Sequence, residues 1–330
     1  MTLPLYSACF AALALTFYVV LDGFDLGVGT LLLFQSAKAS RDHMIDSITP
    51  TWDGNETWLI MTGVTLLAAF PIAYGVLMPA LYLPIILMLL ALGLRGVSFE
   101  FRVQMKKHRS QWDVVFAIGS VIAAFMQGLI LGALLQGIKT QDLHFAGGVL
   151  DVFRPLPIIS GITLVTGYAV LGSAWIYLKA NTILRRFAVR TLRVTSIVFG
   201  ALFSVSCAYA FNVQPGVKAA WGTHPMALSV LASLFLLLAG SLAAIAGKGG
   251  ALLPFVMGLL QFAVGMAGIA FIIYPNIVPF EISLWDAAAS ATSQMFLLIG
   301  AAAVTPVVLA YSAFAYWVFR GRTPENGWGE

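Results

Sequence analysis

Nine stretches of this chain stay apolar for roughly the 20 residues that a helix needs to cross a hydrocarbon layer, a pattern that removes almost every soluble fold from consideration. They run over residues 4–34, 55–76, 79–101, 112–137, 157–178, 194–213, 226–246, 251–273 and 291–319. Lipid supplies no partners for backbone N–H and C=O groups, so each run must satisfy its own by folding as a helix. Composition agrees, with 60% hydrophobic and only 10% charged residues and a mean hydropathy of +0.92. Pro71, Pro79 and Pro84 punctuate the apolar stretch between the second and third runs, which predicts a tight turn near 77–78.

Charge placement orients the helices. If they alternate in direction, segments 35–54, 102–111, 179–193, 247–250 and 320–330 share one side and hold 14 of the 18 Lys and Arg residues. The opposite side carries only Lys139, Arg154 and Lys218, while Arg95 lies within a helix. The positive-inside rule then puts the N-terminus outside and the C-terminus in the cytoplasm. No cleavable signal is expected, because the first apolar run is too long, lacks a basic leader and ends in Asp22-Gly-Phe-Asp25. The outer loops, with Gly147-Gly148, Gln214-Pro215-Gly216 and Tyr274-Pro275-Asn276, are too short to fold as a separate domain.

Acids inside such runs are costly and need a reason. Asp22 and Asp25 are three apart, on one face of the first helix and toward its inner end. Asp53 and Glu56 repeat that spacing where the second helix begins, and Arg95 and Glu100 sit near the inner end of the third. Six ionisable groups at similar depth form a candidate proton-entry or charge-pairing network, since close carboxylates repel unless some are protonated or paired with Arg95 and Arg102. A purely structural ion pair between Arg95 and Glu100, with Asp53 as a helix cap, is the alternative.

Gly23, Gly27 and Gly29 accompany the acids and suit close packing of small residues between helices. A faint internal echo relates Leu21-Asp22-Gly23-Phe24 to the segment from Tyr168 to Gly172. Trp52, Trp58, Trp112, Trp221, Trp285 and Trp317 fit an interfacial belt, with Trp52 singled out for its place beside Asp53 and near Asn55. His43, His108, His144 and His224 all fall in loops, so no pair is positioned to ligate haem across the bundle. Cys9 and Cys207 lie in apolar segments without metal or redox spacing and read as small apolar fillers.

The motifs together resemble subunit II of cytochrome bd-type quinol oxidases. The resemblance rests on Leu21-Asp-Gly-Phe-Asp-Leu-Gly-Val-Gly29, Pro50-Thr-Trp-Asp-Gly-Asn55, Arg95-Gly-Val-Ser-Phe-Glu-Phe-Arg102, Leu134-Leu-Gln-Gly137 and Ser283-Leu-Trp-Asp-Ala287, in the family's order and over nearly the whole chain. Short loops and the segment from Arg95 to Arg102 are closer to the cyanide-insensitive branch. The resemblance implies an all-α fold of nine transmembrane helices, with two four-helix bundles at 4–137 and 157–273 and an extra helix at 291–319. It implies a place in the bacterial cytoplasmic membrane, beside a subunit I of the same fold that holds two b-type haems and one d-type haem. That complex oxidises quinol and reduces dioxygen to water. Subunit II itself ligates no haem or metal, although some members keep a quinone, and a small accessory subunit and lipids are further partners. Nothing points to nucleic acid.

The resemblance also implies a cytoplasmic proton route at the position of Asp53. The placement of the charges adds the expectation that Asp22, Asp25, Glu56 and Glu100 shape the field and water path around it, with Arg95 and Arg102 pairing charge. Two other readings stay open. One is a scaffold that only stabilises the haem subunit. The other is an ion-coupled transporter, which intramembrane acids and helix-breaking glycines also describe.

Overall fold

The computed structural model describes residues 2–105, 108–180 and 182–323. The helices are α1 Leu3–Leu32, α2 Lys38–Asp46, α3 Trp52–Ala69, α4 Pro71–Ala80, α5 Tyr82–Gln104 and α6 Arg109–Gln136, then α7 Pro155–Lys179, α8 Thr182–Val213, α9 Pro215–Thr223, α10 Pro225–Ile245, α11 Leu252–Ile273 and α12 Ala291–Val318. Eight of them, α1, α5, α6, α7, α8, α10, α11 and α12, are long and apolar enough to cross a membrane.

Proline sets the break that the expected second run does not have. Pro71 offers no N–H and forces the residue before it out of the helical region, so Phe70 takes φ −136° and ψ 61° and the run divides into α3 and α4. The turn expected at 77–78 lies inside α4 instead, and the chain bends at Leu81 (φ −109°, ψ 13°), two residues after Pro79. On the basic side, segment 35–54 contains α2, and α8 starts 12 residues before the predicted 194. The arginine-rich stretch before Val194 therefore continues a helix, because arginine is a good helix former that needs no apolar environment.

The irregular loops carry two small hairpins. Strand β1 (Thr140–Gln141) pairs antiparallel with β2 (His144–Phe145), and β3 (Asn276–Val278) with β4 (Ile282–Ser283). Asp142 and Leu143 both adopt positive φ, which matches the two-residue turn that a twisted hairpin prefers.

Helix α1 is the centre of the molecule, packed against α3, α6, α7, α11 and α12. Every residue from Asp22 to Leu32 is buried, and α7 is buried without interruption from Gly167 to Tyr177. The two helices cross at glycine: a Cβ at Gly27 would meet the Tyr168 carbonyl and the Gly172 amide, and one at Gly172 would meet the Gly27 and Val28 backbone. The echo between the segments at Leu21 and Tyr168 thus falls where these two central helices touch. Helix α12 lies at the periphery with Gln294 as its buried residue, and Ser7 Oγ donates to that side chain across 3.2 Å.

Trp58 departs from the expected interfacial belt. It is fully buried, with its ring 4.6 Å from that of Phe17, because it lies on the side of α3 that faces α1. Cys9, expected as an apolar filler, is exposed.

Candidate functional site: a buried carboxyl and arginine cluster

Three helices bring the intramembrane charges together. Asp22 and Asp25 come from α1, Asn55 and Glu56 from the first turns of α3, and Arg95 from the middle of α5. Arg95 and Asp22 are each 0% exposed, with Arg95 Nη1 2.7 Å from Asp22 Oδ1 and 3.7 Å from Glu56 Oε1. Trp52 forms the floor: its ring lies 5.8 Å from the Arg95 guanidinium carbon and stacks on Phe99 at 4.7 Å. Asn55 Nδ2 donates to Asp25 Oδ2 at 2.7 Å and to the Leu21 carbonyl at 3.3 Å, while its Oδ1 accepts from the Tyr316 hydroxyl at 2.9 Å.

One guanidinium thus pairs with two carboxyls, while Asn55 holds the third, Asp25, beside them. Both oxygens of Asp22, Asp25 Oδ1, Glu56 Oε1 and all three guanidinium nitrogens of Arg95 are buried without an aligned hydrogen-bond partner in the chain. Buried polar atoms left in this way are rare enough to need an explanation.

The remaining candidate residues lie around this centre. Asp53 is exposed in the first turn of α3, one helical turn from Glu56, and it does not cap the helix, whose N-cap is Thr51. Glu100 is exposed on α5, and Arg95 faces Asp22 and Glu56 instead of it. Gly23 and Gly27 carry no charge chemistry but let α7 approach α1 closely, with the Tyr168 ring against Gly23.

Arg102 belongs to a second lattice. Its Nε lies 2.6 Å from Asp113 Oδ1 and its Nη2 bonds Asp42, while Arg41 reaches Asp113 at 2.9 Å and Arg109 reaches Asp42 at 3.6 Å. This lattice ties α2, α5 and α6 together two helical turns beyond Arg95. Asp46, which ends α2 beside it, is held above the ordinary carboxylate range by burial, against the pull of Arg102. In the loop before α7, Asp151 is held low by the Gly148 N–H, with Arg154 2.7 Å away.

Several partners escape a sequence reading. Tyr168 donates to Gln127 Oε1 and Gln127 Nε2 donates to the Tyr18 hydroxyl, both at 2.7 Å, a buried chain ending one turn before Asp22. Asp113 did carry a signal, a lone acid at the start of an apolar run. Among the described residues, no group of three or more His, Cys, Asp or Glu could hold a metal ion. His43, expected in a loop, is buried in α2 with Nε2 3.4 Å from the Lys179 carbonyl.

Comparison with known proteins places the chain and its fold in one lineage. The family model for cytochrome bd terminal oxidase subunit II matches residues 3–319. The chain is 28% identical to the cytochrome bd-I ubiquinol oxidase subunit 2 of Escherichia coli strain K12, covering 92% of this chain and 91% of that protein. It is also 28% identical to the cytochrome bd ubiquinol oxidase subunit 2 of Bacillus subtilis, over 92% of each. Its fold is similar to a chain in the structure of bd oxidase from Geobacillus thermodenitrificans, with a TM-score of 0.80 at 16% identity, covering 97% of this chain and 99% of that one. The chain belongs to the family of cytochrome bd terminal oxidase subunit II, multi-pass proteins of the bacterial inner membrane.

Proposed function

We propose that this chain is the haem-free subunit of a quinol-oxidising, dioxygen-reducing complex and carries protons from the cytoplasm toward the haems of its partner. The observation that carries the reading is the imbalance of three carboxyls gathered about one buried arginine, with Asp22 Oδ2, Asp25 Oδ1 and Arg95 Nε and Nη2 left outside the ion pairs and without an aligned hydrogen-bond partner. Such a cluster can take up and release protons without moving an uncompensated charge through lipid. Asp53 supports an entrance, since it is exposed at the mouth of α3 one turn from Glu56. In this reading Asp53 loads, Glu56 receives, and Asp22 and Asp25 hold the proton beside Arg95. Glu100, exposed on α5, lends charge to the same mouth.

The topology proposed with it counts nine crossings. Helices α3 and α4 together make the second, the N-terminus is periplasmic and the C-terminus cytoplasmic, consistent with the excess of Lys and Arg on one side. Residues 4–137 and 157–273 then form the two bundles and 291–319 the ninth helix.

Glu56→Gln is expected to lower quinol-driven oxygen uptake per complex by on the order of 100-fold, the lower range for a lost acid–base group. Asp53→Asn, at an exposed site with water as a substitute, is expected to lower it about tenfold. Both should leave the reduced-minus-oxidised haem spectrum and the yield of complex unchanged. Unaltered turnover in Glu56→Gln would remove the relay.

A scaffold is the second reading, favoured by the Arg102 lattice and by the glycine crossing of α1 and α7. It predicts the reverse pattern for the same two variants, with less assembled complex but normal turnover in what remains.

A further inference from the structure

The arginines of α8 do not enter the proton reading. Arg185, Arg186, Arg190 and Arg193 line an open groove of about 440 Å³, closed on its other side by the turn at Gly247 between α10 and α11. Among the described residues, none of the four pairs with a carboxylate. Arg185 is braced by Tyr177, donating to its hydroxyl at 3.0 Å and lying 4.8 Å from its ring, and Arg193 Nη2 donates to the Ala246 carbonyl at 3.1 Å. Arg186 and Arg190 are exposed.

Helical spacing gives the groove a direction. Arg186, Arg190, Val194 and Ile197 follow one another at intervals of four, four and three and so share one stripe of α8. Val194, Ile197 and Val198 are 53%, 59% and 41% exposed, so guanidinium groups at the end of the helix lead directly onto bare aliphatic surface. The order is that of a phospholipid: a charged phosphate at the water boundary and acyl chains beneath it. Guanidinium groups bind phosphate oxygens in pairs, and basic pockets at helix ends suit lipid headgroups.

We propose that this groove binds the headgroup phosphate of an anionic phospholipid, with its acyl chains laid along Val194, Ile197 and Val198.

Native mass spectrometry of the detergent-purified complex tests this, with dioleoyl phosphatidylglycerol, dioleoyl phosphatidylcholine or inorganic phosphate added in turn. Arg186→Gln/Arg190→Gln is expected to weaken phosphatidylglycerol binding by roughly 30-fold, about fivefold for each basic side chain lost near a charged membrane surface. Phosphatidylcholine binding should be the same in both proteins, and the haem spectrum should be unchanged. Equal retention of phosphatidylglycerol by variant and unaltered complex would overturn the proposal. So would displacement of that lipid by an equimolar amount of inorganic phosphate, which would mark a site for the free ion. Should the variant fail to assemble, a salt series on the unaltered complex decides: lipid loss with rising ionic strength supports the site, and salt-independent retention overturns it.

Discussion

Arg95→Gln is expected to strip most of the assembled oxidase from the membrane. Arg95 and Asp22 are wholly buried 2.7 Å apart, with Glu56 at 3.7 Å, so the substitution removes the one cation that, among the described residues, pairs with both carboxyls. Breaking a buried ion pair from one side costs about 3–5 kcal/mol, because the remaining charge is neither paired nor solvated. Loss of the contact with Trp52 adds to that cost, since the indole ring then has an amide above it in place of a cation. A total of this size is comparable with the whole stability of many folded domains. The readouts are the yield of monodisperse complex and its thermal inactivation in detergent. Adding Asp22→Asn should recover part of both, because the partner left alone then carries no charge, and the recovery measures the coupling between the two residues. An Arg95→Gln complex that melts and accumulates like the unaltered one would show that the cluster is hydrated enough not to need its arginine.

The parts of this cluster visible in the sequence were those with a strong transfer cost. Asp22, Asp25 and Arg95 stand in apolar runs where a charge is tolerated only with a partner, and all three are buried together. The sequence could not say which partner each would take. Arg102 is seven residues from Arg95 and only two from Glu100, yet it bonds Asp113 and Asp42, which lie 11 and 60 residues away. Helices that are apolar all round give no inward or outward face to read, so the pairing follows from packing that local pattern does not encode.

The same limit hid the Tyr18, Gln127 and Tyr168 chain and the burial of Trp58, because aromatic and amide groups suit an interface as well as an interior. Element positions were legible to within a few residues for most apolar runs that ended in charge or proline, the second run, which Pro71 divides into α3 and α4, being the exception. They failed where helix continued past the apolar stretch, as in α8, or where a short polar helix such as α2 followed no membrane pattern.

Gly27→Ala should be as damaging as the loss of Arg95, although it adds a single methyl group. The new carbon would sit on the Tyr168 carbonyl oxygen, 2.7 Å from the carbon of that carbonyl and 2.8 Å from the Gly172 nitrogen. All of these are backbone atoms of α7, so no side-chain rotation relieves the overlap, and the two central helices must separate. Overpacking in a well-filled interior costs typically about 1–3 kcal/mol when side chains can adjust, and this contact offers no such adjustment. Separation would also shift Asp22 and Asp25 relative to α3 and α5, so lost packing and disturbed charge compensation would add. Gly93→Ala on α5 is the matched control, since a Cβ there meets nothing within 4 Å. Helix propensity alone then favours alanine by about 1 kcal/mol, and that variant should melt at or slightly above the temperature of the unaltered complex. The pair separates a specific crossing at Gly27 from a general intolerance of larger residues. If both variants assemble and melt alike, the close approach of α1 and α7 is not what holds the acidic face in register.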